Sequence, residues 1–423
     1  MMIKKLKISN WNQFADVDLN FHPRLTVITG ANGAGKSSIL RILSRLVGWD
    51  YNETSTPNKV KTLKGKTGRF KIIKTKGNLI KDDHNNVTIG SITFEDNFEL
   101  PIKVPENSDS AYYSMTLFNS NQFDDYYNER NIKGLAIPSH RIPYLYREVR
   151  SIPVKPISRK EAYENYLDSI KSKTIYDYVR EDSPGLKMKE SIINLAIYGK
   201  GNEFVEGSEE SLNLFLGFIE VLKLLLPPTL GFQNITIRDG EVVFETKTGE
   251  FLLDSVSGGI GAILDLSWQI FMYDSANEPF MVVIDEAENH LHASMQRRLL
   301  PNLIQAFPNA QFIISTHSPL MVNSVKDSLV YILSYNENNA VVSQLLDFEN
   351  KAANASQILR DVLGVPVTVP LWVENVLEST LEKYKGTSLN AETYTQLKKD
   401  LTAVGLSEHL PQALGYLQGG DLA

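Results

Sequence analysis

Hydrophobic and polar positions alternate at the start of the chain in two short runs, residues 3–8 and 15–21, a spacing that predicts an antiparallel hairpin. Trp11 and Phe14 fall at its tip, where turn aromatics either flank a nucleotide base or cap a core. The continuous run Leu25-Thr-Val-Ile28 predicts a buried strand, and it stops at Gly30. After Lys36 the apolar residues return at helical spacing, as Ile39, Leu40, Ile42, Leu43, Leu46 and Val47. Residues 87–94 and 98–104 alternate again like antiparallel strands. Residues 134–141 read as a core strand that ends in Ser139, His140 and Arg141.

Helical spacing dominates from 158 to 226, with a capping-box start at Ser158, a break at Ser183-Pro-Gly185, and a last helix from 208 to 226 closed by Pro227-Pro228. Residues 233–238 and 241–246 then form a hairpin across Asp239-Gly240. An apolar helix opens at Ser257-Gly-Gly259, followed by a fully apolar strand ending in Asp285-Glu286, a helix over 293–307, and a strand ending in Ser315-Thr-His-Ser-Pro319. Residues 329–333 and 341–346 predict the last strands. Beyond Asp347 the pattern is helical, over 356–363, 371–384 and 391–404, with breaks at Pro366, Pro370 and Gly386 and a frayed end at 419–423. The expected organisation is an α/β head over 1–346, with a helical insertion at about 158–230, and a helical C-terminal domain over 347–423.

Composition narrows the function classes. A chain of 423 residues, 42% hydrophobic, can bury a large core and hold a site rigidly. It has no cysteine, which excludes disulfides, thiolate metal sites and cysteine nucleophiles. No apolar stretch is long enough to span a bilayer and the first residues lack the apolar core of a signal peptide, so the expectation is a cytoplasmic protein with no membrane partner. The net charge of −7 argues against a protein that coats nucleic acid with its whole surface. Residues 59–81 nevertheless carry nine Lys or Arg and no acid. Such a run either tracks nucleic-acid phosphates or guards a solvated β-ribbon edge.

The candidate chemistry lies where strands end. Gly30-Ala-Asn-Gly-Ala-Gly-Lys-Ser37, between a strand and a helix, matches a phosphate-binding loop, and Asn32 and Ser38 belong to the same nucleotide-binding stretch. Gly30, Gly33 and Gly35 allow backbone conformations that a side chain forbids, so loop amides can curl around a phosphate at a helix N-terminus. Lys36 would then reach the β- and γ-phosphates of a nucleotide, and Ser37 would hold Mg²⁺. Of the strand-end carboxylates, Asp285 steadies the metal and Glu286 accepts a proton from the attacking water. His317 either meets the γ-phosphate or its water, or is structural. Ser257 with Gly258-Gly259 reads equally as an ordinary helix cap and turn.

Together these segments resemble the ABC-type ATPase heads of the SMC, RecF and OLD group, most of all the stand-alone ATPases of Septu, retron-associated and PARIS-type anti-phage systems. Gly30–Ser37 looks like Walker A, Val283-Ile-Asp-Glu286 like Walker B, Ser257-Gly-Gly259 like the signature and Ser315–Pro319 like the histidine switch. The resemblance implies a P-loop head with a mixed central sheet and an antiparallel β subdomain. It also implies a homodimer or higher homo-oligomer sandwiching ATP, in which Ser257, Gly258 and Gly259 of one subunit meet the γ-phosphate held by Lys36 of the other, and His317 senses it. A separately encoded effector, nuclease or toxin, is the implied partner. The alternative is a RecF-like DNA repair or replication factor. Three departures stand out. The signature lacks the glutamine of transporters, Gln122 and the Ser139–Arg141 turn are both open as the Q-loop, and the 76 residues after Asp347 show no acidic cluster of the kind an OLD nuclease carries, so the chain is not expected to be a nuclease.

Overall fold

The opening alternation folds as an antiparallel hairpin of β1 (Ile3–Trp11) and β2 (Phe14–Asn20). In the computed structural model the described residues are 2–57, 70–72, 82, 86–117, 132–174, 183–274, 278–347, 355–359, 371–384, 387 and 390–417. Leu6, Ile8, Val17 and Leu19, on one face of the hairpin, are fully buried. Trp11 and Phe14 are buried too, at 0% and 2% exposure, and their rings stack with centroids 5.8 Å apart. The Trp11 indole N–H donates to the Tyr113 hydroxyl at 3.2 Å. These aromatics cap the core and leave no open ring face for a base.

The chain continues through β3 (Leu25–Gly30), α1 (Lys36–Arg45), β4 (Asn86–Phe94), β5 (Glu99–Pro105) and β6 (Gly134–Ile137). The described residues of the insertion form α2 (Arg159–Thr174), α3 (Pro184–Lys200) and α4 (Glu209–Leu225). Serine hydroxyls set the starts of two of them: Ser183 caps α3 through Leu186 N–H and Ser208 caps α4 through Ser211 N–H, each at 3.2 Å. A separate antiparallel sheet follows, of β7 (Phe232–Arg238), β8 (Glu241–Thr246) and β9 (Gly249–Leu252). Then come α5 (Gly258–Tyr273), β10 (Phe280–Ile284), α6 (Ala293–Ala306), β11 (Ala310–Ser315), β12 (Leu329–Tyr335) and β13 (Val341–Leu345).

Ten strands form one mixed sheet in the order β6-β10-β11-β3-β12-β13-β2-β1-β4-β5. From β6 to β12 the neighbours are parallel. Strands β3, β10 and β11 are buried at every position, as parallel strands covered on both faces must be. Because β13 pairs in parallel with β2, the antiparallel strands β2, β1, β4 and β5 continue the central sheet. The phosphate loop, the Ser139–Arg141 turn, Asp285-Glu286 and the His317 segment each follow the carboxyl end of a parallel strand, the place where open α/β sheets bind ligands.

Helix α5, which opens at Ser257-Gly-Gly259, is gripped by the insertion, since α2 and α4 both pack on it. Trp268 of α5 is fully buried edge-on to Phe218, with centroids 5.0 Å apart, and burial of a ring of this size contributes roughly 3 kcal/mol. Lys189 of α3 is buried as well, and its ammonium donates to Asp254 at 2.7 Å and pairs with Glu241. The segment leading into α5 is thereby tied to the insertion.

Residues 1–346 form one compact unit and residues 347–423 another. In the second unit α7 (Leu371–Leu381), α8 (Ala391–Ala403) and α9 (Leu410–Leu417) enclose Leu377, Leu381, Leu397 and Leu401. Of the helix expected over 356–363, Ala355–Gln357 is helical, and residues from 360 on lie outside the described set. Gln122, the end at 419–423 and residues 59–69 and 73–81 of the basic run also lie outside it. Within that run Phe70–Lys71 pairs with Thr56–Pro57 and with Asn107–Ser108. Among the described residues no helix is long and apolar enough to cross a membrane.

Candidate active site

The loop between β3 and α1 takes the shape its glycines allow. Gly30, Gly33 and Gly35 have φ of 135°, 79° and 92°, all in the region side chains avoid. At Gly30 the space is also closed, because a Cβ would stand 2.3 Å from the Leu333 carbonyl oxygen of β12. Lys36 is buried, and its ammonium donates to the carbonyls of Gly30 at 2.8 Å and Ala31 at 3.0 Å. Burial lowers its pKa to about 8, against the opposing pull of Glu286, Asp285 and Glu288. Asn32 and Gly33 are exposed on the loop, and Ser37 and Ser38 are half-buried in the first turn of α1.

Three strand ends converge on this loop. Ser37 Oγ donates to Asp285 Oδ1 at 3.1 Å, and Ser315 Oγ, at the end of β11, donates to the same oxygen at 2.6 Å. Ser315 Oγ also accepts the main-chain N–H of Glu286 at 2.8 Å. Thr29, just before the loop, donates its hydroxyl to the Thr316 carbonyl at 2.9 Å. Glu286 itself has φ of 46°, an uncommon conformation for a residue with a side chain. Its carboxylate accepts from Asn289 Nδ2 at 2.7 Å, and Asn289 also donates to the Ser139 carbonyl at 3.0 Å. The Glu286 carbonyl accepts from Arg141 Nη1 at 3.3 Å. The Ser139–Arg141 turn therefore lies beside Walker B, one strand over.

His317 is half-buried. Burial, and next the Lys36 charge, lower its pKa, so its imidazole is neutral at neutral pH and can donate one N–H while accepting at the other nitrogen. Its main-chain N–H donates to Glu288 Oε1. Gln296 of α6 steadies the same loop, accepting from Ser318 Oγ at 2.7 Å and donating to the Leu291 carbonyl at 2.8 Å.

A magnesium-bound triphosphate fits these groups. Helix α1 begins without a capping side chain and without an acid in its first turn, so its N-terminal amides are free to face an anion. Phosphate oxygens would add negative charge beside Lys36, whose charged form burial disfavours. The oxygens of Ser37 and Asp285 are hard donors, and Mg²⁺ takes one or two protein oxygens and completes its shell with phosphate and water. Glu288 Oε2 is buried with no hydrogen-bond partner among the described residues, as a polar atom lining a ligand site is before it fills.

Residues 25–323, spanning the phosphate loop and the histidine-switch loop, match the family model AAA_21, described as "AAA domain, putative AbiEii toxin, Type IV TA system". The chain belongs to this family. It is an ABC-type ATPase of the SMC, RecF and OLD group. The Septu protein PtuA of Bacillus thuringiensis is 22% identical over 403 residues, 89% of this chain and 88% of that protein. The retron Vc95 probable ATPase of Vibrio cholerae is 30% identical over 130 residues, 30% of this chain and 24% of that protein. Among solved structures, the SmcHead bound to the C-winged helix domain of ScpA is similar with a TM-score of 0.48 at 16% identity, covering 82% of this chain and 99% of that one.

Ser257 and Gly258 are exposed at the N-terminus of α5, where Ser257 Oγ accepts from Ile260 N–H at 3.5 Å. Gly259 lies against the loop after Walker B, and a Cβ there would be 3.0 Å from the His290 carbonyl oxygen. Lys36, Ser37, Asp285, Glu286 and His317 are thus gathered at one site, whereas Ser257 and Gly258 are exposed and Gly259 lies half-buried against the loop after Glu286. Asn289 and Glu288 carried no special signal in the sequence beyond their place after Walker B. Arg141 was visible only as one of two Q-loop candidates.

Proposed function

We propose that this chain is an ATP-hydrolysing switch that assembles across ATP as a homodimer or higher homo-oligomer and regulates a separately encoded nuclease or toxin in anti-phage defence, in the cytoplasm. The observation that carries the catalytic part is the grip on Glu286, whose amide, carbonyl and carboxylate are each held by a different residue. A carboxylate held this way can take a proton from water attacking the γ-phosphate. Lys36 and the loop amides stabilise the charge that develops on the phosphate oxygens. His317 meets the γ-phosphate through its neutral imidazole. Ser37 and Asp285 would hold Mg²⁺, which when bound neutralises charge on the β- and γ-phosphates. The exposed Ser257-Gly-Gly259 end of α5 is suited to close a second subunit's site. The defence role rests on relatives named as Septu protein and retron ATPase.

Two variants and one purification test this reading. Lys36→Ala should lose ATP binding and turnover, and Glu286→Gln should bind ATP, fail to hydrolyse it and accumulate the closed assembly. Turnover at the parent rate by either folded variant would refute the site. Purification of the Glu286→Gln protein from its host with ATP, with mass spectrometry and nucleic-acid sequencing, should recover a nuclease or toxin. Recovery of DNA alone would favour the RecF-like alternative.

A further inference from the structure

The strand-end turn of β6 reaches two elements that the proposed reaction must coordinate, the signature helix and the catalytic acid. Arg141 is the residue that touches both. Its side chain is 4% exposed, its Nη1 donates to the Glu286 carbonyl at 3.3 Å, and its Nε makes an ion-pair contact with Asp265 Oδ2 at 3.9 Å. Asp265 lies two turns into α5, the helix that starts at Ser257. The other oxygen of Asp265 accepts from the Tyr166 hydroxyl at 2.7 Å and from Gln269 Nε2 at 3.0 Å, so its carboxylate is fixed to the insertion helix α2 and to its own helix. A series of polar contacts runs from α2 through Asp265 and Arg141 to the backbone of Glu286, the Arg141–Asp265 step being an ion-pair contact at 3.9 Å and the others hydrogen bonds.

We propose that Arg141 is a positioning residue that couples the signature helix to the catalytic carboxylate, so that the placement of Glu286 depends on where α5 stands. The inference rests on the reading of Glu286 as the catalytic acid. Glu286 needs outside support because its φ of 46° is one that a residue with a side chain leaves when released. The amide is held by Ser315 and the carboxylate by Asn289, which is anchored in turn on the Ser139 carbonyl. The guanidinium joins the Glu286 backbone to α5 through polar contacts, while the loop after Glu286 packs on the start of the helix at Gly259. A planar guanidinium can serve both partners at once, where a lysine ammonium on a shorter reach serves one. A shift of α5 when a second subunit docks on Ser257 would pull on Asp265, and through Arg141 on the Glu286 carbonyl. Displacement of a reacting group by about 1 Å is enough to change a rate by about a hundredfold.

The test uses the full chain with Arg141→Gln, Arg141→Lys, Asp265→Asn and the double variant Arg141→Gln/Asp265→Asn, measuring ATP affinity, KM, kcat and Tm. The expected result is ATP affinity and KM within about threefold of the parent in each Arg141 variant, with kcat lower by about tenfold or more. The double variant removes both buried charges, so it should recover the Tm lost in Arg141→Gln without recovering kcat. If kcat returns together with Tm, Arg141 only neutralises Asp265 and the inference is wrong. Parent kcat in Arg141→Lys, which keeps the charge if Arg141→Gln does not fold, overturns it as well. Glu286→Gln is measured alongside. Turnover in that variant refutes the underlying site, whereas its inactivity beside active Arg141 variants refutes only the coupling.

Discussion

The Ser315 hydroxyl donates to the Asp285 carboxylate across 2.6 Å, so the strand that leads to His317 also sets the acid beside the phosphate loop. The same oxygen takes the Glu286 N–H. Ser315→Ala should therefore act on both acids at once. The expected loss is about 1–3 kcal/mol of stability, because a part-buried N–H is left without a partner, together with a fall in kcat of roughly tenfold or more. Denaturant titration and steady-state ATPase measurements check it, and a Ser315→Ala protein with parent kcat would remove Ser315 from the machinery.

Lys36 links nucleotide binding to pH. With its pKa lowered to about 8 in the free protein, the ammonium is about half deprotonated at pH 8, and phosphate oxygens raise the pKa again on binding. Binding should then take up about half a proton at pH 8 and almost none at pH 6.5. The sign follows from the free protein holding fewer protons than the complex, so affinity declines as pH rises through about 8. Calorimetry at pH 8 in buffers of different ionisation enthalpy measures the uptake, and a slope of zero against buffer enthalpy would contradict it.

Gly30 and Gly240 separate backbone strain from crowding. Both have positive φ, but a Cβ at Gly240 meets nothing within 4 Å, whereas one at Gly30 meets the Leu333 carbonyl oxygen at 2.3 Å. Gly240→Ala should cost about 1 kcal/mol. Gly30→Ala should cost about 3 kcal/mol or more and weaken ATP binding, because β3 and β12 must part for the new methyl group. Equal losses in chemical denaturation would show that crowding contributes nothing.

Ser257→Arg distinguishes a signature from a plain helix cap. The isolated subunit should bind ATP nearly as the parent does, since Lys36 and its loop are untouched, while assembly across ATP fails. Mixed with Lys36→Ala, it should recover part of the ATPase activity, because one composite site of a mixed dimer carries neither change. Native mass spectrometry establishes that mixed dimers form. Mixed dimers without activity, or full assembly by Ser257→Arg alone, would return this segment to an ordinary cap.

Much of the site was legible in the sequence because its chemistry is contiguous. The run Gly30–Ser37 carries in one stretch the glycines, the cation and the hydroxyl that a phosphate loop needs, and the apolar runs before Gly30, Asp285 and Ser315 could only be buried strands. The contacts that orient these groups were not legible, because they join residues far apart in the chain. Asn289 meets Ser139, Arg141 meets Asp265, and Thr29 meets Thr316 only once β6, β10, β11 and β3 lie side by side in parallel. Periodicity reports which face of a strand is buried, and it carries no information on strand order. For the same reason the hairpin tip could be read two ways until packing drew Trp11 and Phe14 inward, with Tyr113 as a hydrogen-bond partner some hundred residues away. The sequence by itself marked the groups proposed to face a nucleotide. Tertiary structure decided which residues hold them in place, because a hydrogen bond depends on distance in space and the order of strands is what sets it.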